Sequence, residues 1–370
     1  MRHYVCLIAF FLMLSGCGDD SVDRRPDALG PEGEITVVVD STTWGGPVGD
    51  AVREVLAENV LTLPRPEPLF QVQRTNLNSR SLDTIIKKRK YVLIAGVLGE
   101  DTSVGRFLAA SLDSAATEAV ENGRNVVVQR DDLWYQNQVV VYAVGPNPAS
   151  LASRIYNAKG QIQDAFTTQI RQNTEREMFK RRRQTSVEES MMGKHGFALN
   201  VQHDYLVPTD TTDFVWLRRV LQPENWRSVF VHYIDNADPS LISPTWIQET
   251  RNALTEEYVQ GNVMGYATID NRRPLQSENV NFLGRFGYET RGLWHMVGEI
   301  EGRTVPIGGG GPFVNYTFYD EAQQRIYMID GMLFLPNPKY DKREFVRQLD
   351  VIAHTFRTAG DEMAAQGDGA

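Results

Sequence analysis

The first part of the chain alternates short apolar runs with segments of helical periodicity. Residues 35–39, 91–97, 126–128 and 138–144 are β-branched or continuously apolar, which predicts strands. Apolar residues recur every three or four positions over residues 48–56 and 107–120, which predicts helices between those strands. Strands that alternate with helices are typical of an α/β sandwich.

A helical period then continues from Pro148 to about Arg183 and predicts one long helix. This helix would end in the basic tetrad Lys180-Arg181-Arg182-Arg183. Two interpretations of the tetrad stay open. It is either a solvated helix end whose charge suits the macrodipole, or a contact with anionic lipid or lipopolysaccharide.

The second half of the chain has a different pattern, with longer strands and only two helical segments. Helices are predicted from the N-cap Ser243 to about Val259 and from Lys342 to Phe356. The predicted strands cover residues 197–201, 214–220, 229–234, 264–269, 288–299, 313–320 and 325–335. Consecutive strands joined by short turns favour an antiparallel sheet.

The predicted fold class is therefore α+β with two lobes: an α/β sandwich, followed by a twisted antiparallel sheet with helices packed on one face. We place the N-terminal lobe at residues 34–184 and the C-terminal lobe at residues 195–358. Residues 359–370 are small and polar, which predicts a disordered tail.

The amino terminus has the pattern of an export signal. The apolar run from Val5 to Leu14 is too short to cross a hydrocarbon core, which needs about 20 helical residues. Leu14-Ser15-Gly16-Cys17 resembles the lipobox of bacterial lipoproteins. It predicts a signal peptide at residues 1–16 and diacylglycerol on the sulfur of Cys17. The alternative is a plain secretory signal that contains a cysteine.

Residues 17–33 are polar and rich in glycine and proline, which predicts a flexible tether. The early acidic pair Asp19-Asp20 is similar to export signals that carry some lipoproteins of the Bacteroidetes to the outer cell surface. It is equally compatible with a solvated linker. The expected location is the cell envelope, lipid-anchored at the outer membrane, on its periplasmic face or at the cell surface.

Composition narrows the class of function. The formal net charge of −9 and the pI near 5.3 argue against a general nucleic-acid binder, which needs a basic face. The two cysteines are Cys6, in the predicted signal peptide, and Cys17, which would carry lipid. The mature chain is therefore predicted to have no disulfide.

Two glycine-containing segments suggest binding loops. Trp44-Gly45-Gly46-Pro47 joins a predicted strand to a predicted helix, where backbone N–H groups could hold an anion, or where Trp44 simply packs a tight turn. Gly308-Gly309-Gly310-Gly311 is interpreted either as a mobile flap or as a flexible connection between two strands.

Histidines and arginines supply the remaining candidates. No pair of histidines has the spacing of a zinc protease motif, and no nucleophile elbow is present, so no metal, cofactor or catalytic residue is predicted. Arg291 and Trp294 lie on opposite faces of one predicted strand. Arg291 could grip a carboxylate or sugar, or close an ion pair with Glu289. Trp44, Arg291 and Trp294 are the candidate ligand-binding residues.

Several segments resemble the family called domain of unknown function 4837, uncharacterised lipoproteins of the Bacteroidetes and their relatives. The similar segments are 35–40, 44–50, 64–70, 213–218, 290–294, 311–314 and 340–344. The resemblance implies a lipoprotein with no assigned activity, and it brings no catalytic residues with it.

The favoured hypothesis is a membrane-anchored envelope lipoprotein that acts as a non-catalytic ligand- or partner-binding module. Its partners would be the membrane, through the N-terminal lipid, and an envelope protein or glycan. The alternative is an envelope hydrolase acting on peptidoglycan, glycan or lipid. A third hypothesis, transport of a small apolar molecule, requires a closed cavity inside the second sheet.

Overall fold

The computed structural model describes residues 23–124, 126–222, 225–259, 265–273 and 275–367. The predicted signal peptide and Cys17 lie outside the described residues.

The N-terminal lobe is a five-stranded mixed sheet between two layers of helices. Its strands are β1 (Glu34–Val38), β2 (Gln71–Thr75), β3 (Tyr91–Val97), β4 (Val126–Asp131) and β5 (Val139–Gly145). Its helices are α1 (Ser41–Trp44), α2 (Pro47–Leu56), α3 (Ser79–Thr84), α4 (Ser103–Ser111), α5 (Ser114–Glu121), α6 (Pro148–Asn157) and α7 (Lys159–Phe179). Among the described strands the order is β2-β1-β3-β5-β4, and β4 runs antiparallel to the others.

The apolar runs of the sequence form the centre of this sheet. Every residue of β3 and β5 is buried, because α2, α6 and α7 cover one face while α4 and α5 cover the other. Strand β2 was not predicted, because its sequence Gln-Val-Gln-Arg-Thr is polar. It lies at the edge of the sheet.

The prediction of a single long helix from Pro148 is wrong, because the helix is interrupted at Ala158. There the backbone leaves helical geometry (φ −97°, ψ 14°) and separates α6 from α7. The first turn of α7 is tied to the end of α2 instead. Lys159 Nζ lies 2.6 Å from Glu58 Oε2, and Gln163 Nε2 donates to Val55 O at 2.7 Å. The break therefore follows tertiary contacts rather than a proline.

The C-terminal lobe is built on an antiparallel sheet. Its strands are β6 (Phe197–Ala198), β7 (Leu206–Asp210), β8 (Phe214–Gln222), β9 (Asn225–Asp235), β10 (Tyr266–Ile269), β11 (Gln276–Phe282), β12 (Arg285–Ile300), β13 (Arg303–Asp320), β14 (Arg325–Phe334) and β15 (Arg357–Thr358). Its helices are α8 (Thr185–His195), α9 (Pro244–Tyr258), α10 (Lys342–His354) and α11 (Ala359–Gly367). Within the described part of the chain, eight strands form the sheet in the order β10-β12-β13-β14-β9-β8-β7, with β11 also paired to β12.

The predicted α+β class is confirmed, but helices cover both faces of this sheet rather than one. Residues Val215 and Leu217 of β8 share a core with α10, whereas Phe214 and Trp216 share a core with α9. The strand is apolar at both alternations, so each face needs a cover. Beneath α9, Arg251 and Asp330 form a fully buried ion pair, with Nε 2.7 Å from Oδ2.

The described ends of the folded chain are more ordered than the sequence predicts. Residues 359–367 form α11 instead of a disordered tail, and the Asp361 carboxylate accepts from the backbone N–H of Thr358 at 2.8 Å. Residues 27–29, in the predicted tether, lie against the N-terminal lobe. The N–H of Ala28 donates to Gln136 O at 2.9 Å, and Ala28 is buried. Neither segment has the apolar period by which helices and strands are recognised.

Candidate functional site

A pocket of about 330 Å³ lies at the β10 edge of the C-terminal sheet, beside Pro64 of the N-terminal lobe. A volume of this size suits a small molecule. Its walls are Asp270, Arg272 and Arg273, which follow β10, residues 293–295 of β12, and Gly309, Gly310 and Gly311 of β13.

The glycine wall is a bulge inside β13. His295 pairs with Gly310 and Val297 with Pro306, so three residues of β13 lie opposite Met296 alone. Gly308 and Gly309 have φ values of +93° and +76°, which side chains rarely tolerate. The prediction of a flap or connection between two strands is wrong, because the glycines widen one continuous strand and open room for the pocket.

Charged groups line the opposite wall. The Asp270 carboxylate accepts from Arg272 Nε at 2.6 Å and from the Arg272 backbone N–H at 3.1 Å. The Arg272 hydrogen bonds, aided by the nearby His295, hold the pKa of Asp270 below its usual range despite partial burial. Arg273 Nη2 reaches Pro64 O at 3.4 Å, across the boundary between the lobes.

His295 is the polar group without an internal partner at this site. Its Nδ1 atom is buried and forms no hydrogen bond to any residue that the structure describes. A buried nitrogen of this kind costs free energy unless a ligand or water bonds to it. Arg272 and Arg273, which line the same pocket, are the groups there that can bind oxygen acceptors.

Trp294, one of the predicted ligand residues, lines the pocket but is anchored in the core. The indole is 1% exposed, and its Nε1 donates to Leu333 O at 3.2 Å. Its ring packs 5.1 Å from Trp226. Trp294 therefore supports the wall, and its indole N–H is already used.

Arg291, the second predicted residue, belongs to a charged cluster where the two lobes meet. Its Nε donates to Glu289, the same-face neighbour expected from strand alternation, and its Nη2 lies 3.4 Å from Asp350 Oδ1 of α10. Tyr316 donates to Asp350, and its OH lies 2.9 Å from Glu289 Oε2. Arg171 of α7 completes the cluster from the other lobe, with Nε 3.0 Å from Asp350 Oδ2.

Electrostatics hold this cluster in one protonation state. Burial alone would raise the pKa of Asp350, but His354, Arg171 and Arg291 hold it well below its usual range. Burial, added to the charges of Asp350 and Glu289, raises the pKa of Tyr316. Because these groups pair with one another, the geometry supports the structural interpretation of Arg291 over the ligand clamp.

Trp44, the third predicted residue, packs a tight turn. Arg53 of α2 lies over its ring, with Cζ 4.6 Å from the centroid. A Cβ on Gly49 would lie 1.8 Å from Trp44 O, so the turn closes only with glycine there. Of the three predicted residues, Trp294 alone lines the pocket at the sheet edge.

Sequence reasoning missed Asp270, Arg272 and Arg273 as site residues. The available signal was the turn sequence Asp270-Asn271-Arg272-Arg273 directly after a predicted strand. His295 was not among the predicted site residues either. The β10–β12 register, which aligns Ile269 with Trp294, brings the turn beside it.

Over the described residues, every helix is too short or too polar to span a bilayer. In the same part of the chain, His, Cys, Asp and Glu side chains form no group of three or more that could hold a metal ion.

Comparisons with known proteins divide the chain at the boundary between the lobes. Residues 184–355 match the family model "Domain of unknown function (DUF4837)", and residues 28–179 match "Domain of unknown function (DUF8532)". The resemblance to DUF4837 is confirmed for the C-terminal lobe, whereas the similar segments at 35–50 and 64–70 fall within the second match. No curated protein matches the chain.

Two solved structures are remotely similar to this chain. The Ran-binding protein Mog1p of Saccharomyces cerevisiae is 10% identical, covers 44% of this chain and 90% of its own, and has a TM-score of 0.29. A point mutant of Mog1, also 10% identical with the same coverage, has a TM-score of 0.28. Scores this low carry no argument about function.

Proposed function

We propose, from the match of residues 184–355 to the DUF4837 family model, that this chain is a membrane-anchored lipoprotein of the cell envelope. In this proposal Cys17 carries the lipid, and the folded body is a non-catalytic module that binds a small ligand. The anchor holds the body at the outer membrane, and the pocket beside His295 is the ligand site.

The anchor is supported by the lipobox-like sequence Leu14-Ser15-Gly16-Cys17 after a short apolar run. The chain after Cys17 limits how far the folded body can lie from such an anchor. The backbone of Pro26, Ala28 and Leu29 is hydrogen-bonded to the N-terminal lobe shortly after Cys17. Lipid on Cys17 would thus hold this lobe close to a bilayer.

The anchor is tested with Cys17→Ala in cells that process the precursor. We expect the variant to be absent from the membrane fraction, because alanine has no thiol to which diacylglycerol can be attached. Mass spectrometry of the native protein should show a diacylated amino-terminal cysteine. An unmodified Cys17, or a variant that still sediments with membranes in a detergent-sensitive way, contradicts the anchor.

The observation that carries ligand binding is a pocket bordered by the guanidinium groups of Arg272 and Arg273 and lined by His295, whose Nδ1 has no partner among the described residues. Arg272 is held by Asp270, whereas Arg273 makes no ion pair within the described residues. The matching ligand is a small molecule with an oxygen acceptor, such as a carboxylate or a phosphate.

The pocket is tested by thermal unfolding with acetate, succinate or inorganic phosphate. A ligand at about 100 times its dissociation constant stabilises the fold by about 2.7 kcal/mol. We expect at least one probe to raise the melting temperature of the wild type and of the control Arg303→Ser, an exposed arginine outside the pocket. Arg273→Ser should lose that rise. Equal shifts in all three proteins, or none, would contradict the proposal.

A further inference from the structure

Two basic tetrads, far apart in the sequence, lie near one another in the fold. They are Lys87-Lys88-Arg89-Lys90, just before β3, and Lys180-Arg181-Arg182-Arg183, just after α7. We call the surface that they form the basic face. It stands out because the whole chain carries a formal charge of −9.

The N-terminal segment joins these tetrads. The N–H of Leu29 donates to Lys88 O at 2.6 Å, and the N–H of Lys90 donates to Leu29 O at 3.1 Å. On the other side, Leu29 and Gly30 line a cavity of about 220 Å³ together with Arg176 of α7. Leu29 and Gly30 therefore lie between the first tetrad and α7.

A second groove continues from that cavity to the end of α7. Arg176 lines both, and the groove of about 450 Å³ also contains Lys180 and Arg183. Arg176 thus connects the cavity beside Leu29 and Gly30 with the groove beside the second tetrad.

Several cations of the basic face are available to an external partner. Lys180, Arg181, Arg182 and Arg183 are exposed. Lys180 lies 3.5 Å from Glu177, and Arg183 pairs with Glu188. Arg181, Arg182 and Lys88 form no ion pair with any residue that the structure describes. The other cations of the first tetrad pair with Asp83, Glu34 and Glu32.

We propose that the basic face rests on the anionic headgroups of the bilayer that holds the lipid anchor. This inference depends on the proposed anchoring at Cys17. The chain from Cys17 to Asp23 can span at most about 20 Å, at about 3.3–3.6 Å per residue. A tether of this length lets the basic face reach the bilayer surface. Electrostatic attraction then acts once the face comes within about 8 Å of the headgroups at physiological ionic strength.

Orientation follows from the same geometry. An anchored body with a neutral face could tumble at the end of its tether. Headgroup contacts at both tetrads fix the N-terminal lobe against the membrane. They leave the pocket of the C-terminal lobe, which includes no residue of either tetrad, free of these contacts.

The experiment uses the unlipidated polypeptide 18–370, which contains every described residue. Its sedimentation with vesicles of phosphatidylcholine containing phosphatidylglycerol is compared with that of pure phosphatidylcholine vesicles. We expect binding to the anionic vesicles only, with loss at high salt. Each basic residue near an anionic surface contributes about 1 kcal/mol.

Two charge-removal variants locate the surface. Arg181→Gln with Arg182→Asn should weaken vesicle binding roughly 30-fold, as about 2 kcal/mol requires. Asparagine is chosen because Arg182 has φ +50°, a conformation that asparagine tolerates. The double variant Lys87→Gln with Lys88→Gln should also weaken binding to the anionic vesicles. The matched control, Arg303→Ser with Lys339→Ser, removes two exposed charges from the C-terminal lobe and should bind like the wild type.

The proposal is overturned if the control weakens binding as much as the tetrad variants, or if neutral and anionic vesicles bind equally. Failure of the anchor itself has a different signature, an unmodified Cys17 in the native protein. Binding of the unlipidated chain to vesicles does not depend on that modification, so the two outcomes are separable.

Discussion

At the scale of single residues, burial decides what a charged side chain does. Arg291 was a candidate clamp for a ligand, but Glu289 lies on the same face of β12 and Asp350 comes from α10. Strand alternation predicted the pairing with Glu289. No local sequence pattern predicted the pairing with Asp350, which comes from a distant helix. His295, four residues farther along β12 and on the same face, has an Nδ1 atom without a partner among the described residues and is the better candidate for binding.

Replacing Arg291 with Met measures how much the charged cluster at the lobe interface contributes to the free energy of unfolding. The side chain is 27% exposed and Arg171 still pairs with Asp350, so the loss should be smaller than for a fully buried pair. We expect a cost of about 2 kcal/mol in the free energy of unfolding. Urea denaturation provides the measurement.

The control is Arg303→Met, an exposed arginine whose loss should cost less than about 0.5 kcal/mol. If Arg291→Met unfolds no more easily than this control, the cluster does not stabilise the fold, and the ligand clamp becomes the better interpretation.

At the scale of elements, one helix depends on a residue from the other lobe. The N-cap Asp341 of α10 makes no side-chain cap bond. Instead, the Glu67 carboxylate accepts from the backbone N–H groups of Lys342 at 3.0 Å and Arg343 at 2.8 Å. Glu67 is 3% exposed, and its negative charge complements the helix dipole.

Glu67→Ala should therefore destabilise the protein by about 2 kcal/mol, the upper range for loss of a cap. It should also speed amide hydrogen exchange in the first turn of α10, because two buried N–H groups lose their acceptor. Exchange measured by mass spectrometry reports this turn directly.

The comparison variant is Asn78→Ala, which removes the local capping box of α3 within the N-terminal lobe. It should cost about 1 kcal/mol and leave exchange in α10 unchanged. Equal exchange in α10 for both variants would mean that Glu67 does not hold the helix.

At the scale of the whole molecule, the two lobes match different family models yet share one interface. Glu67 caps α10, and Arg171 of α7 pairs with Asp350 of the same helix. Helix α10 packs on the C-terminal sheet and against α7. These contacts make α10 the element that joins the lobes.

Local sequence patterns were enough to predict many of the helices and strands. The fully apolar runs at β3 and β5, the Ser243 cap of α9 and the amphipathic α10 were found because their signals lie within a few residues of sequence. The α+β class follows from the order of those elements. The lipobox-like segment is likewise a local pattern, and it supports the proposed anchor without help from the fold.

Tertiary structure alone decided the features that depend on distant partners. The break at Ala158, the polar edge strand β2 and helices on both faces of the second sheet arise from packing that no local window contains. The pocket needs a turn after β10, a bulge in β13 and a loop from the other lobe, which strand register and lobe docking bring together. The two basic tetrads are also brought near the N-terminal segment by tertiary structure. Hydrogen bonds and ion pairs form between groups that are close in space, and such groups can be far apart in the sequence.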